Sequence, residues 1–193
     1  MSVWFCLASG PSMCAEDAEA VRGRGRLIAI GNTGELAPFA DVLYSADGAW
    51  WRHYGNRHAG FTGRRCALEQ SHLPDGVEGL PYRNAPGLGL DIIHTGQNSG
   101  YQAINLAFLE GARTIVLVGY DMQHTGGRHH WHPDHPRPLG NFNPGMPELC
   151  RPKFDGLARD LAENGVRVIN ASRETALACF ERIPLRDVLA QLP

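Results

Sequence analysis

Several signatures are missing from this chain, and each absence removes a class of function. No GxxxxGK[ST] loop occurs, which excludes phosphate binding of the P-loop kind. No GxGxxG occurs either, and Gly119-Tyr120-Asp121 is not a dinucleotide fingerprint, so a nicotinamide enzyme is disfavoured. The five cysteines, Cys6, Cys14, Cys66, Cys150 and Cys179, contain no CxxC pair. Their number is odd, and Cys6 and Cys179 lie in apolar contexts, so buried free thiols in a reducing, cytoplasmic compartment are expected. Charge of one sign is lacking too. A formal net charge of -2 and a pI near 6.5 give no strong nucleic-acid signature. Apolar runs are far shorter than a membrane span, no basic leader precedes the strand-like start, and no internal repeat is visible. A soluble chain without a signal peptide is the expectation.

What is present fits a single α/β domain. The 193 residues are 43% hydrophobic and 20% charged, enough for a sizeable core. The organising stretch is Gln97 to Met122. Tyr101, Ile104, Ala107 and Phe108 share one face at helical spacing, Asn98 and Ser99 are good caps, and Gly111 is a natural stop. Thr114 to Val118 is continuously apolar and β-branched, as a strand covered on both faces would be.

The rest alternates in the same way. Val3–Ala8, Leu27–Ile30, Val42–Ser45 and Val166–Ile169 read as strands; Arg64–Leu68 and Leu90–Ile93 read as weaker ones. Helices are expected over about Ala15–Val21, from Trp50-Trp51, over Lys153–Asn164, over Glu174–Phe180 and through Leu189, with at most a short one over Glu35–Phe39. The tryptophans are expected to pack on the sheet, with a platform for a flat ring as the alternative. Arg57, Arg64 and Arg65 are expected on the surface rather than on a phosphate. Alternating strands and helices predict a mainly parallel sheet with helices on both faces.

Five strand ends carry small polar groups: Ser9-Gly10-Pro11-Ser12, Asn32, Asp47, Gly119 with Asp121, and Asn170 with Ser172. In an open parallel sheet, ligands bind beyond the carboxyl ends of the strands. Together with the helix opening at Asn98, Ser99 and Gly100, these ends predict one crevice suited to a nucleotide. Backbone N–H groups would take phosphate; carboxylates and amides would take ribose and base.

Residues 122–152 form the least regular part and read as a long His- and Pro-rich loop. Five of nine histidines lie between His124 and His135. Three readings compete for His130-Trp131-His132-Pro133-Asp134-His135. One imidazole could be a catalytic base, since histidine titrates near neutral pH. His130, His132, Asp134 and His135 could instead hold a metal. The loop could also be merely polar. The base is the reading taken here, with no metal.

The set Ser9-Gly-Pro-Ser12, Ile30-Gly-Asn32, Ala46-Asp47 with Trp50-Trp51, Asn98-Ser-Gly-Tyr-Gln-Ala103, Val118-Gly-Tyr-Asp-Met122, His130-Trp-His132 and Ile169-Asn-Ala-Ser172 resembles the DUF115-type proteins of phages and prophages. These are similar to the Campylobacter-type sialyltransferases of glycosyltransferase family 42 and to archaeal pterin diphosphokinases. The resemblance spans nearly the whole chain and is weakest over residues 55–89. It implies one Rossmann-like domain over residues 1–193, a CMP-sugar or other nucleotide-sugar donor, an acceptor of unspecified kind and no obligatory metal or other cofactor. By motif, Ser9, Gly10 and Asn32 would lie near phosphate or sugar, and Asn98, Ser99 and Gly100 near nucleotide and sugar. Gly119 and Asp121 would hold the cytidine, and His132 or His135 would be the base. Ser9 stands where the transferases carry asparagine, and their long acceptor-binding lid has no counterpart, so sialic acid itself is not implied. The alternatives are diphosphoryl transfer with magnesium on Asp121 and Asp47, and a non-catalytic phage-associated binding protein. Self-association is left open.

Overall fold

The first strand, β1 (Val3–Leu7), settles the layering of the molecule. Trp4 and Cys6 face one side of the sheet, Phe5 and Leu7 the other, and all four are buried. A strand apolar on both faces has to be covered on both, which in a parallel sheet is done by crossover helices. The computed structural model, which describes residues 2–192, shows this arrangement.

The chain continues through α1 (Ala15–Ala20), β2 (Arg26–Ile30), a 3-10 turn at Gly31–Glu35, β3 (Val42–Tyr44) and α2 (Gly48–Tyr54). Then come β4 (Arg64–Leu68), β5 (Glu78–Leu80), β6 (Tyr82–Arg83), β7 (Ile93–His94), α3 (Ser99–Leu109) and β8 (Thr114–Val118). It closes with α4 (Met146–Glu163), β9 (Arg167–Asn170), β10 (Glu181–Arg182) and α5 (Leu185–Gln191). Eight strands form one sheet in the order β10-β9-β8-β1-β2-β3-β4-β5, with every pairing parallel; β6 and β7 make a small separate pair. The protein has a Rossmann-like α/β fold built on the eight-stranded sheet. α3 and α4 cover one face through Tyr101, Ile104, Phe154, Leu157 and Leu161. α1, α2 and α5 cover the other through Ala18, Trp50, Trp51 and Val188.

The order matters for function. From β1 the chain builds outward through β2 to β5, then returns to lay β8 on the opposite flank of β1. The chain leaves β1 for α1 on one face and leaves β8 for α4 on the other, so the paired carboxyl ends of these two strands form a topological switch point, where open sheets leave a crevice.

Several expectations need correcting. α4 begins at Met146 rather than Lys153, so the irregular segment ends at Gly145. Pro147 sits in the first turn, where its missing N–H costs nothing, and buried Cys150, Phe154, Leu157 and Leu161 continue one apolar stripe through Pro152. Residues 174–180 are not helical. Thr175 donates its hydroxyl to Tyr120 O (2.7 Å) and accepts Leu177 N–H (3.1 Å), while Ala176 N–H goes to Asp121 O (2.8 Å). Those bonds satisfy the backbone against the end of β8 instead of along a helix. Over Glu35–Phe39, where at most a short helix is expected, only Glu35 is helical, as the last residue of the 3-10 turn. β5, β6 and β10 have two or three residues each, mostly exposed, with no apolar run to betray them. Leu90–Ile93 shrinks to Ile93–His94, outside the main sheet. Among the described residues, no helix is long and apolar enough to cross a membrane.

Candidate functional site

A cavity of about 290 Å³ opens at the switch point. Its floor is made by two strand ends in close contact. Gly10 N–H donates to Gly119 O (2.9 Å) and Ala8 N–H to Val118 O (2.8 Å). A Cβ on Gly10 would stand 2.2 Å from Asp121 Oδ1 and 2.4 Å from Gly119 O, so the position admits glycine alone without rearrangement. Gly119 needs the same freedom, with φ +73 and Ala8 O 2.6 Å from a notional Cβ.

Asp121 is 1% exposed at this floor. One carboxylate oxygen accepts the Ser12 hydroxyl (2.7 Å), and the other accepts Ser12 N–H (2.9 Å) and the Thr125 hydroxyl (3.3 Å). Burial raises its pKa, and the Ser12 and Thr125 bonds act against that rise. The carboxylate ties the β1–α1 turn and the start of the following loop to the end of β8. Ser12 spends its hydroxyl on that tie and is not part of the cavity wall, whereas Ser9, Gly10 and Pro11 are.

α3 supplies the second wall. The Asn98 side chain accepts Tyr101 N–H (3.1 Å) as N-cap, which leaves the amides of Ser99 and Gly100 without an acceptor among the described residues. Both residues line the cavity. Gly100 has a packing reason to be glycine: a Cβ would meet the Tyr120 ring at 2.8 Å, and Tyr120 OH donates to Gly100 O (3.0 Å). Gln97 (φ 62) and Met122 (φ 49), two of the three non-glycine residues at positive φ, both line the cavity. Such strained conformations gather where a site over-determines its backbone.

The third wall comes from β2, β3 and α2. Asn32 Oδ1 accepts the Trp50 indole N–H (2.8 Å), and Asp47 caps α2 by accepting Ala49 N–H (2.7 Å). Trp51 donates to Ser45 O (3.0 Å). Both tryptophans are packed on the sheet as expected, with Trp50 also showing an edge to the cavity. Arg57 pairs with Glu35, and Arg64 with Glu78 and Glu110, all partly exposed.

Asn170 and Ser172 are the exception among the strand ends: neither lines the cavity. Asn170 donates to Thr175 Oγ1 (2.9 Å) and accepts Ser172 N–H (3.1 Å), and Ser172 Oγ accepts Tyr120 N–H (2.8 Å). Both are consumed in holding residues 171–177 against β8. The expected five-ended crevice thus has four ends.

The loop after Asp121 forms the roof. Trp131 N–H donates to Ser9 O (3.2 Å), and its indole N–H donates to Thr33 Oγ1 (3.1 Å). His135 N–H donates to Asn141 Oδ1 (2.7 Å), which returns its amide to His135 O (3.1 Å). These bonds bring His130, His132 and His135 together over the cavity, with ring centroids 4.8, 4.9 and 5.5 Å apart. Each Nδ1 has an oxygen neighbour: Ser9 Oγ for His130 (3.3 Å), Pro133 O for His132 (2.7 Å) and Tyr54 OH for His135 (3.0 Å). A carbonyl only accepts, so His132 carries its proton on Nδ1 and its lone pair on Nε2. Burial lowers all three imidazoles, and neighbouring imidazoles add to this for His130 and His135, which come down to about 4. All three are neutral at pH 7. His129 faces Asp134 (2.9 Å), and His124 is bonded to Phe142 O (2.7 Å).

Among the described residues, no group of three or more ligand side chains converges on a metal position. The thiols are free, and burial pushes Cys6 and Cys66 up to about 12 and Cys179 to about 11, which leaves them poor nucleophiles. Sequence reasoning missed Tyr54, Thr33 and Asn141, which position the roof, and Met146, which lines it. The first three carried no local signal, because their partners lie elsewhere in the chain or across the loop. Met146 was hidden by the late expected start of α4. No family model, no curated protein and no solved structure matches this chain.

Proposed function

We propose that the protein is a nucleotide-dependent transferase, a glycosyltransferase in kind, that moves a sugar from a nucleotide-linked donor to a hydroxyl acceptor. The observation that carries this reading is His132. Its Nδ1 proton is committed to Pro133 O, its Nε2 lone pair is free, and it lines the same cavity as the unbonded amides of Ser99 and Gly100. An imidazole fixed in that tautomer can accept a proton only at Nε2, which is what a base for a hydroxyl nucleophile requires.

In this reading the donor's phosphate rests on the α3 amides, where the helix dipole favours negative charge as the sugar–phosphate bond breaks. The acceptor oxygen attacks the anomeric carbon while His132 Nε2 takes its proton. The phosphate leaves with the bonding pair. Trp50, Asn32 and Asp47 form the side available for the nucleoside. Diphosphoryl transfer with magnesium on Asp121 and Asp47 has less support, because the two Asp121 oxygens already take three donors.

The test is a thermal-shift panel of CMP, UDP and ATP, the last with and without magnesium. A ligand at 100 times its Kd raises stability by about 2.7 kcal/mol, a shift easily read. A rise with CMP or UDP that Ser99→Pro abolishes supports the reading. A rise only with ATP and magnesium favours diphosphoryl transfer, and no rise with any of them removes the nucleotide.

A further inference from the structure

The cavity has free amides for an anion and almost no positive charge. Among the described residues lining it there is no lysine or arginine. Lys153, the chain's one lysine, stands at the rim with its ammonium on Gln97 Oε1. The fixed charges at the wall are negative, Asp47 and Asp121. The remaining groups able to become cationic are imidazoles. His130 is the distinctive one: its Nε2 is shielded from water and has no hydrogen-bond partner, although His130 lines the cavity. An unpartnered buried polar atom is a cost that native structures rarely leave standing without a use.

We propose that the three-imidazole roof is a proton-coupled oxyanion subsite, in which His130 takes up one proton as a phosphate group of the ligand enters the cavity. The proposal deepens the transferase reading by assigning the phosphate's countercharge. His132 keeps its Nδ1 proton on Pro133 O and its role as base, so the added proton goes to the neighbour whose Nε2 is idle. Without an anion, burial and the facing imidazoles hold His130 at about 4, so it is neutral at pH 7. An anion beside it favours the charged form and raises that value. The other titratable groups around the cluster are Asp134 and His129 on the loop, Glu35 after β2, and Asp47, His53 and Tyr54 of α2 with its cap. Asp134 assists proton uptake by His130; His132, His135 and His129 oppose it. By linkage, an anion that brings in one proton binds up to about tenfold more tightly for each pH unit lost between the raised and the free pKa.

Sulfate is the probe, because its own charge is constant over this range. Calorimetric titration of the full chain with sulfate at pH 6.5 and 5.0, at fixed ionic strength and in two buffers of different ionisation heat, reads both affinity and proton uptake. We expect about tenfold tighter binding at pH 5.0, with about one proton taken up, and neither in His130→Gln. Equal affinity at both pH values, or no proton uptake, overturns the proposal. So does His130→Gln with the full pH dependence retained, since the overall charge of the protein would then explain it. If that variant does not fold, ¹⁵N-histidine spectra of the wild type decide: the His130 titration must move upward with sulfate, and a stationary one overturns the proposal. CMP separates this inference from the reading it rests on. CMP binding with no sulfate-linked proton uptake leaves the transferase and removes the subsite; sulfate-linked uptake with no nucleotide binding does the reverse.

Discussion

The floor and the roof of the cavity are both rich in polar groups, yet they use them in opposite ways. At the floor and just behind it, Asp121, Ser12, Asn170 and Ser172 spend their hydrogen bonds on neighbouring groups of the protein itself. In the roof, each imidazole uses one nitrogen to hold its place and keeps the other. The floor is built by strands that come close enough to exclude side chains at Gly10 and Gly119. The roof is an irregular segment held by Trp131 and Asn141. A polar residue at a strand end is therefore as much a fastener as a ligand group. Capacity for a ligand lies where bonds are left unmade: at the α3 amides and at the imidazole Nε2 atoms.

The largest effect that would sharpen this contrast is on turnover. With the proposed donor, His132→Ala should lower kcat by about 10²–10⁴, with nucleotide affinity nearly unchanged. Full activity in His132→Ala would move the base to His135 or remove it from the roof altogether. The floor should respond in a different currency. Asp121→Ala leaves Ser12 N–H and its hydroxyl without their acceptor at a buried strand end, and should cost about 2–4 kcal/mol of stability by urea denaturation. An Asp121→Ala protein of wild-type stability that binds nucleotide poorly would break the contrast and return Asp121 to the ligand.

The sequence signalled the floor and roof unequally, and for physical reasons. β1, β2, β3 and β8 are apolar runs covered on both faces, so burial wrote itself into composition. The Asn98 cap and the Gly111 stop are local and were legible in α3. That Asn170 and Ser172 turn away from the cavity depends on Thr175 and Tyr120, a pairing between β8 and the chain after β9 that no local pattern encodes. The helical pattern over residues 174–180 was real in composition and lost to the same bonds. In the roof, the clustering of His130, His132 and His135 could be suspected from spacing. Which nitrogen each keeps free could not, since Tyr54 and Ser9 are distant in sequence.

An intermediate effect lies in pH. His130 and His135 sit at about 4 in the folded protein, against an ordinary value of about 6.5 when unfolded. Between these values the unfolded chain binds more protons, so it gains stability as pH falls. The contribution of these groups to folding is complete above about pH 6.5, declines through the window and is lost by about pH 4. Urea midpoints at pH 7.5, 6.0 and 5.0 should therefore fall, and a His130→Gln/His135→Gln variant should fall less steeply. A variant as steep as the wild type would place the acid sensitivity elsewhere, for instance at buried His58, whose value burial also lowers.

The smallest effect tests whether the roof is held as firmly as the floor. Trp131→Phe keeps an aromatic body against the sheet and removes one bond, the indole N–H to Thr33 Oγ1. Thr33 is fully buried, so its hydroxyl loses a partner that water cannot easily replace. A single neutral hydrogen bond of this kind is worth about 0.5–1.5 kcal/mol. Global stability should drop by no more than that, because the phenyl ring keeps the packing of residue 131 against the core. Local opening should change more visibly: the Trp131 amide, bonded to Ser9 O, should exchange its hydrogen faster in the variant, while the amides of β1 and β8 keep their wild-type rates. Equal acceleration in strands and loop would mean that roof and floor open as one unit, and the division drawn between them would fail. Unchanged exchange at Trp131 would instead assign the fastening of the roof to His135 and Asn141, whose reciprocal bonds are then the pair to remove.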